Sequence, residues 1–132
     1  MDDSLQQQSF EFALSIVRLY KKLQARQELI ISPQLLRSGT RIGLLIEEAF
    51  VAPVPQQSKQ IDIAKQEARE TYYWLRLLQA SRLADVDVTP EITQVKQLLH
   101  LIAERESARE SSGKSSSKFS SKSSSKSLTT GN

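Results

Sequence analysis

The sequence predicts an all-α protein: an antiparallel up-down four-helix bundle over residues 1–110, then a disordered Ser/Lys-rich tail over 111–132. Three observations predict it. Four separate stretches place apolar residues every three to four positions, the period of one helix face. Pro33, Pro53, Pro55 and Pro90 punctuate those stretches, and proline is tolerated in a helix's first turn but breaks its interior. Composition then changes abruptly at Ser111, after which eleven of 22 residues are serine.

The first helix is predicted from about Leu5 to Gln27. Leu5, Phe12, Ile16, Leu19 and Leu23 share one stripe, which Ala13, Val17 and Tyr20 widen on one side. Ser32-Pro33 reads as N-cap and first helical residue of the second helix, which extends to about Phe50. Its buried line runs through Leu35, Gly39, Ile42, Gly43, Ile46 and Ala49 or Phe50. Each glycine there costs roughly 1 kcal/mol of helix stability, for which close approach by a neighbouring helix is the expected compensation. Pro53-Val54-Pro55 is expected to end this helix and form the longer crossing loop.

Ser58 is the predicted cap of the third helix, with Ile61, Ala64, Ala68, Thr71, Leu75 and Leu78 at strict spacing and an end near Ser81. Thr89-Pro90 repeats the cap signature before the fourth helix. That helix presents Ile92, Val95, Leu99 and Ile102, with Leu98 and Leu101 flanking, and fades around Arg109. Short connections favour antiparallel neighbours. In the tail, lysine recurs every fourth position from Lys114 to Lys126 with no apolar stripe accompanying it. Such a segment cannot bury enough surface to offset chain entropy. It reads as a solubilising tail, or else as a salt-sensitive hold on phosphates or a phosphorylatable segment.

Charge is divided unevenly. The whole chain has 18 basic and 15 acidic residues; four of the lysines and none of the acids lie in the tail, leaving the body at −1. The basic balance therefore does not by itself make the body a nucleic-acid binder. With no cysteine there are no disulfides, thiolate metal sites or cysteine nucleophiles. The acidic start and the absence of a long apolar run predict a soluble, cytoplasmic protein without a membrane partner.

Four features go beyond a plain bundle. Ile63, Trp74 and Leu77 widen the third helix's apolar arc, either for a wide internal contact or for a second subunit. Arg37, Arg41 and Glu48 form a stripe opposite the second helix's core line, with Leu44 and Leu45 beside it. Arg37, Arg41, Leu44, Leu45, Trp74 and Leu77 are thus candidate oligomer or partner contacts. Glu67 and Glu70 fall inside the apolar arc, where carboxylates need partners; Arg37 is the natural one, and an ion network of Arg37, Glu48, Glu67 and Glu70 is expected. Lys65, Arg69 and Arg76 line the third helix's outer face with Tyr72 and Tyr73 on its flanks, a pattern that grips a backbone and stacks a base, or is a solvated face, since Asp62 lies there too.

Catalytic signatures are missing. The single histidine, His100, has Gln97 where a di-iron bundle places glutamate. No phosphate loop, nucleophile elbow or EF-hand spacing is present. No enzymatic activity, metal, cofactor or small-molecule substrate is expected. A metal-dependent hydrolase built on Glu48, Glu67 and Glu70 is the minor alternative.

Residues 9–21 (SFEFALSIVRLYK), 34–49 (QLLRSGTRIGLLIEEA) and 64–78 (AKQEARETYYWLRLL) resemble a bacterial family of four helix bundle proteins. The family includes proteins encoded in intervening sequences of large-subunit ribosomal RNA genes; the accessory variability protein of diversity-generating retroelements is a more distant likeness. The patterns Gln-Leu-x-Arg-Ser and Glu-x-x-Glu-Thr-x-Tyr-Trp-Leu carry it, over about residues 9–106. The resemblance implies a four-helix protomer in a ring-like homopentamer, no enzymatic activity, and a role in binding RNA, DNA or a nucleic-acid enzyme. Arg37, Glu48, Glu67, Glu70, Tyr73 and Trp74 match motif positions. Arg41 stands where serine is usual, Leu45 where asparagine is usual, and Ala49 where glycine is frequent.

These readings converge on a non-enzymatic homo-oligomer that binds nucleic acid or a nucleoprotein partner through Lys65, Arg69, Tyr73 and Arg76, with Lys114, Lys118, Lys122 and Lys126 of the tail. The alternative is a structural adaptor acting only through protein–protein contacts.

Overall fold

In a computed structural model the chain forms four helices: α1 (Asp3–Ala25), α2 (Ser32–Val51), α3 (Val54–Ser81) and α4 (Thr89–Thr130). The structure describes the side chains of residues 4–109. α4 runs on through Thr130, past the predicted fade at Arg109, and the side chains of the 111–132 tail, its four lysines included, lie outside the described ones. Two compact units divide the chain, Met1–Ile102 and Ala103–Asn132. The first contains α1, α2, α3, the opening turns of α4 and the buried core; the second is the remainder of the chain.

Successive helices run in opposite directions. Gln24 near the end of α1 bonds Ser32 at the start of α2, while Gly43 further along α2 lies against the backbone of Ser9. Between α2 and α3, Arg37 meets Glu70 and Arg41 meets Glu67. Ser4, Gln7, Gln8 and Glu11 of α1 face Thr93, Gln94, Gln97 and Leu98 of α4 across a cleft, while Lys22 acts electrostatically on Glu91. These contacts are compatible with an up-down arrangement.

The predicted stripes supply most of the core. Leu5, Phe12, Ile16, Leu19 and Leu23 of α1 and all six predicted positions of α3 are buried. Burying a leucine, isoleucine or phenylalanine contributes about 1.5–3 kcal/mol each, so these rows dominate stability. The two glycines of α2 do what their position predicted: Gly39 packs on Ile16 and Gly43 on the Ser9 carbonyl, so α1 and α2 approach closely.

Several expectations are corrected. Val17 is exposed rather than part of the widened stripe. Leu98, not Leu99, completes the α4 core row with Val95 and Ile102. Leu45, expected beside Leu44 on the outer side of α2, is buried at 4% exposure, in line with Ser38, Ile42 and Ala49. One residue's step turns a helix position by 100°, enough to carry Leu45 inside while Leu44 stays out.

The helix starts differ too. α3 begins at Val54, with Pro53 as N-cap and no side-chain cap, because both prolines sit where no N–H is needed. Ser58 is therefore inside the helix. At α2 the serine does not cap. The buried carboxylate of Glu28 accepts the N–H groups of Ile30, Ile31 and Ser32 at 3.1, 2.9 and 2.7 Å. The Ser32 hydroxyl instead donates to the Glu28 carbonyl at 2.7 Å. At α4 the cap is Asp87, which accepts the Thr89 N–H at 3.0 Å. Hydrogen bonds from the Thr89 side chain and backbone hold the Asp87 carboxyl below its ordinary value.

Candidate nucleic-acid interface and the α2–α3 groove

The outer face of α3 assembles the predicted row. Lys65, Arg69, Tyr72, Tyr73 and Arg76 recur at helical spacing, so one turn stacks above the next on the same side. Arg76 places its guanidinium 4.9 Å from the centre of the Tyr72 ring, an attraction between a cation and the ring's negative face. Tyr73 is 49% exposed. Its ring meets that of Trp74 edge-on, with centroids 5.3 Å apart and planes at 66°. Arg69 and Arg76 are exposed, Lys65 is half-buried, and Asp62 shares the surface. A flat ring beside fixed cations offers a stacking plane and a phosphate contact within one patch.

The adjoining groove between α2 and α3 carries the ion pairs. Arg37 Nη2 lies 2.8 Å from Glu70 Oε2, and Arg41 Nε lies 3.2 Å from Glu67 Oε2. Trp74 Nε1 donates to Glu70 Oε2 at 3.5 Å, fixing the indole at the groove's edge. Beneath them Thr71 Oγ1 lies 2.8 Å from Ser38 Oγ and 2.8 Å from the Glu67 carbonyl oxygen, satisfying two buried hydroxyls. Glu67 is the more enclosed carboxylate, its side chain 14% exposed against 37% for Glu70. Its Oε1 is buried without a hydrogen-bond partner among the described residues.

The expected network is thus rearranged. Arg37 pairs with Glu70 as predicted, Arg41 joins by taking Glu67, and Glu48 is exposed and belongs to neither pair. Leu44 and Leu77 are exposed and Trp74 half-buried along the same side, whereas Leu45 points inward. With Glu67 and Glu70 engaged by arginines and Glu48 apart from them, the three do not form the metal set considered from the sequence. Among the described residues no group of three or more His, Asp or Glu side chains is placed to hold a metal ion. Nor, among them, is any helix long and apolar enough to cross a membrane.

Two features escaped the sequence reading. One is Glu28, whose only signal was a carboxylate four residues before Ser32-Pro33. The other is an exposed apolar row on α1, Phe10, Leu14 and Val17, legible only as a second three-four spacing beside the core stripe.

The fold and these faces define the class: a small four-helix bundle with arginine–glutamate pairs bridging α2 and α3. The model of the 23S rRNA-intervening sequence protein family matches residues 2–104, and the chain belongs to that family. It is similar to a crystal structure of a Bacteroides thetaiotaomicron protein of unknown function from the S23 ribosomal protein family. The two share 35% identity and a TM-score of 0.69 over 76% of this chain and 95% of that one. No curated protein matches the chain.

Proposed function

We propose that this protein is a non-enzymatic, homo-oligomeric bundle of the cytoplasm that binds nucleic acid, RNA foremost, through the outer face of α3. The observation that carries the reading is the juxtaposition of exposed Tyr73 with the Arg76–Tyr72 pair and Arg69. Phosphate contacts supply affinity and the ring supplies a base platform. The family is described by an intervening sequence of 23S rRNA, which makes RNA the first nucleic acid to test. The tail lysines Lys114, Lys118, Lys122 and Lys126 add unopposed positive charge. The proposed assembly is the homopentamer implied by the resemblance, with the α2–α3 groove at its contacts. Filter binding of the full-length protein to single-stranded RNA and DNA at low and moderate salt tests the reading. Salt-dependent retention is expected; none at low salt overturns it.

A second reading is a structural adaptor with no nucleic-acid partner. The body's net charge of −1 favours it, because a bundle without a basic excess has no general attraction for phosphates. Trp74→Ala that lowers the assembly mass, together with no RNA retention at any salt, selects this reading.

A further inference from the structure

The two tyrosines on the outer face of α3 are not equivalent. At about 100° per residue, Tyr72, Arg76, Arg69 and Tyr73 follow one another around the helix, so the arginines stand between the rings. Tyr72 packs against the core, and the Arg76 guanidinium stands over its ring, 4.9 Å from the centre. Tyr73 is 49% exposed, and among the described residues no cation covers it. Trp74 meets it edge-on with centroids 5.3 Å apart, and the indole is itself tied to Glu70 by a 3.5 Å hydrogen bond. Arg69 is exposed and makes no ion pair among the described residues. Asp62, exposed on the same side two turns earlier, sets a carboxylate that repels phosphate at that end of the patch.

On the RNA reading of the α3 face, on which this rests, we propose that the patch takes one unpaired nucleotide. Its base stacks on Tyr73, its flanking phosphates meet Arg69 and Arg76, and Tyr72 is a positioning residue that holds Arg76 ready. Tyr73 comes four residues after Arg69 and three before Arg76, so both cations are its neighbours on the helix surface. The two arginines are about 10.5 Å apart along the axis, one on each side of the ring. A base in an A-form duplex cannot use such a ring. Its faces are covered by its stacked neighbours, and its major-groove edge lies in a groove too deep and narrow for side chains. A base in a loop or single strand presents an open face and pays no unpairing cost. With one exposed ring, the footprint is one stacked base per protomer. Tyr72 contributes before the RNA arrives. A guanidinium on a free stem loses rotamer freedom when it grips phosphate, whereas one resting on a ring has lost part of it already.

The test compares binding of the full-length protein to a labelled single-stranded RNA and to the same strand annealed to its complement, at one low salt concentration. The single strand is expected to bind at least about fivefold tighter, the low end of what a base stacked on an aromatic ring supplies. Tyr73→Ala is expected to erase that preference. Tyr72→Leu is expected to weaken single-strand binding about two- to fivefold, the range of an exposed cation–π contact, and Tyr72→Phe to restore it. In an Arg76→Ala background, Tyr72→Leu is expected to cost nothing further, which a merely structural tyrosine would not show. Circular dichroism verifies that each variant keeps its helices, and Tyr72→Phe retains the ring should Tyr72→Leu unfold. Equal affinity for single strand and duplex would overturn the proposal while leaving the α3 face as an RNA surface. Binding to neither would overturn both. An undiminished effect of Tyr72→Leu without Arg76, or a Tyr72→Phe variant as weak as Tyr72→Leu, would overturn the positioning role.

Discussion

Gly39 of α2 lies so close to Ile16 of α1 that a Cβ built on the glycine would stand 2.8 Å from Ile16 Cγ1 and 3.3 Å from its Cβ. Ile16 is fully buried and branched at Cβ, so it has no free rotamer to yield. Gly39→Ala is expected to destabilise by about 0–2 kcal/mol, the overpacking cost of about 1–3 less the roughly 1 kcal/mol that alanine returns in helix propensity. At Gly43 the nearest atom is the Ser9 carbonyl oxygen at 3.3 Å, and Gly43→Ala is expected to be the milder change. Urea unfolding of both variants measures the difference; equal midpoints would refute the steric account.

Glu28 caps α2 through N–H groups that water cannot replace. Glu28→Ala leaves the buried N–H groups of Ile31 and Ser32 without acceptors, at an expected cost of about 1–3 kcal/mol. Glu28→Gln retains one acceptor oxygen and should fall between the two. Thermal melts followed at a helix signal give the order, which a Gln variant weaker than Ala would contradict.

The two arginine–glutamate pairs differ in consequence because they differ in burial. Arg37→Ala opens an exposed pair, for which about 0.2–1 kcal/mol is expected. Arg41→Ala strands the more enclosed Glu67 carboxylate, whose second oxygen already lacks a partner among the described residues. Its expected cost is larger, about 1–3 kcal/mol. Adding Glu67→Ala to Arg41→Ala should recover part of that loss, a double-mutant cycle readable by denaturant titration.

Acid titration should reveal Glu91. Burial raises its pKa above the ordinary value, and its Oε1 has no partner among the described residues. The folded state therefore holds a proton that the unfolded chain has already released. Stability contributed by this group is full below about pH 4.3, the ordinary glutamate value, and is lost as pH rises through the raised folded value. Glu91→Gln should remove that fall, so the variant gains on the wild type across this window and the gap levels off above it. Asp87 works oppositely. Its lowered pKa gives stability present above about 3.9 and lost as pH falls through the folded value. A gap between Glu91→Gln and wild type that is constant with pH counts against the assignment.

For the RNA reading, Arg69→Ala with Arg76→Ala should lower the slope of log affinity against log salt by about 0.7 for each phosphate left without its cation. Tyr73→Ala should cost about 1–3 kcal/mol without changing that slope, because stacking releases no counterions. A titration series at several salt concentrations separates the two effects.

The sequence alone determined the helices and most of the core. Phe12, Ile16, Ala64, Leu75 and their stripe-mates were legible because burial repeats with the helical period, and that period is written in the order of residues. A close helix approach at Gly39 was legible for the same reason, as two glycines on a buried line have few other uses, while the structure supplied Ile16 as the residue that meets it. Arg37's pairing with Glu70 could be read from where each fell on its helix. Tertiary structure decided what depends on a few tens of degrees of rotation or on a distant partner. It chose Leu45 over Leu44 and Leu98 over Leu99 for the interior, because adjacent residues are equally apolar and only neighbouring helices fix the angle. It gave Arg41 rather than Glu48 to the ion network, since register between α2 and α3 is set by packing around Ser38 and Thr71. It also passed the capping of α2 from Ser32 to Glu28, which a loop folded back on itself brought within reach. Local spacing writes the faces; the contacts between faces assign each polar group its partner.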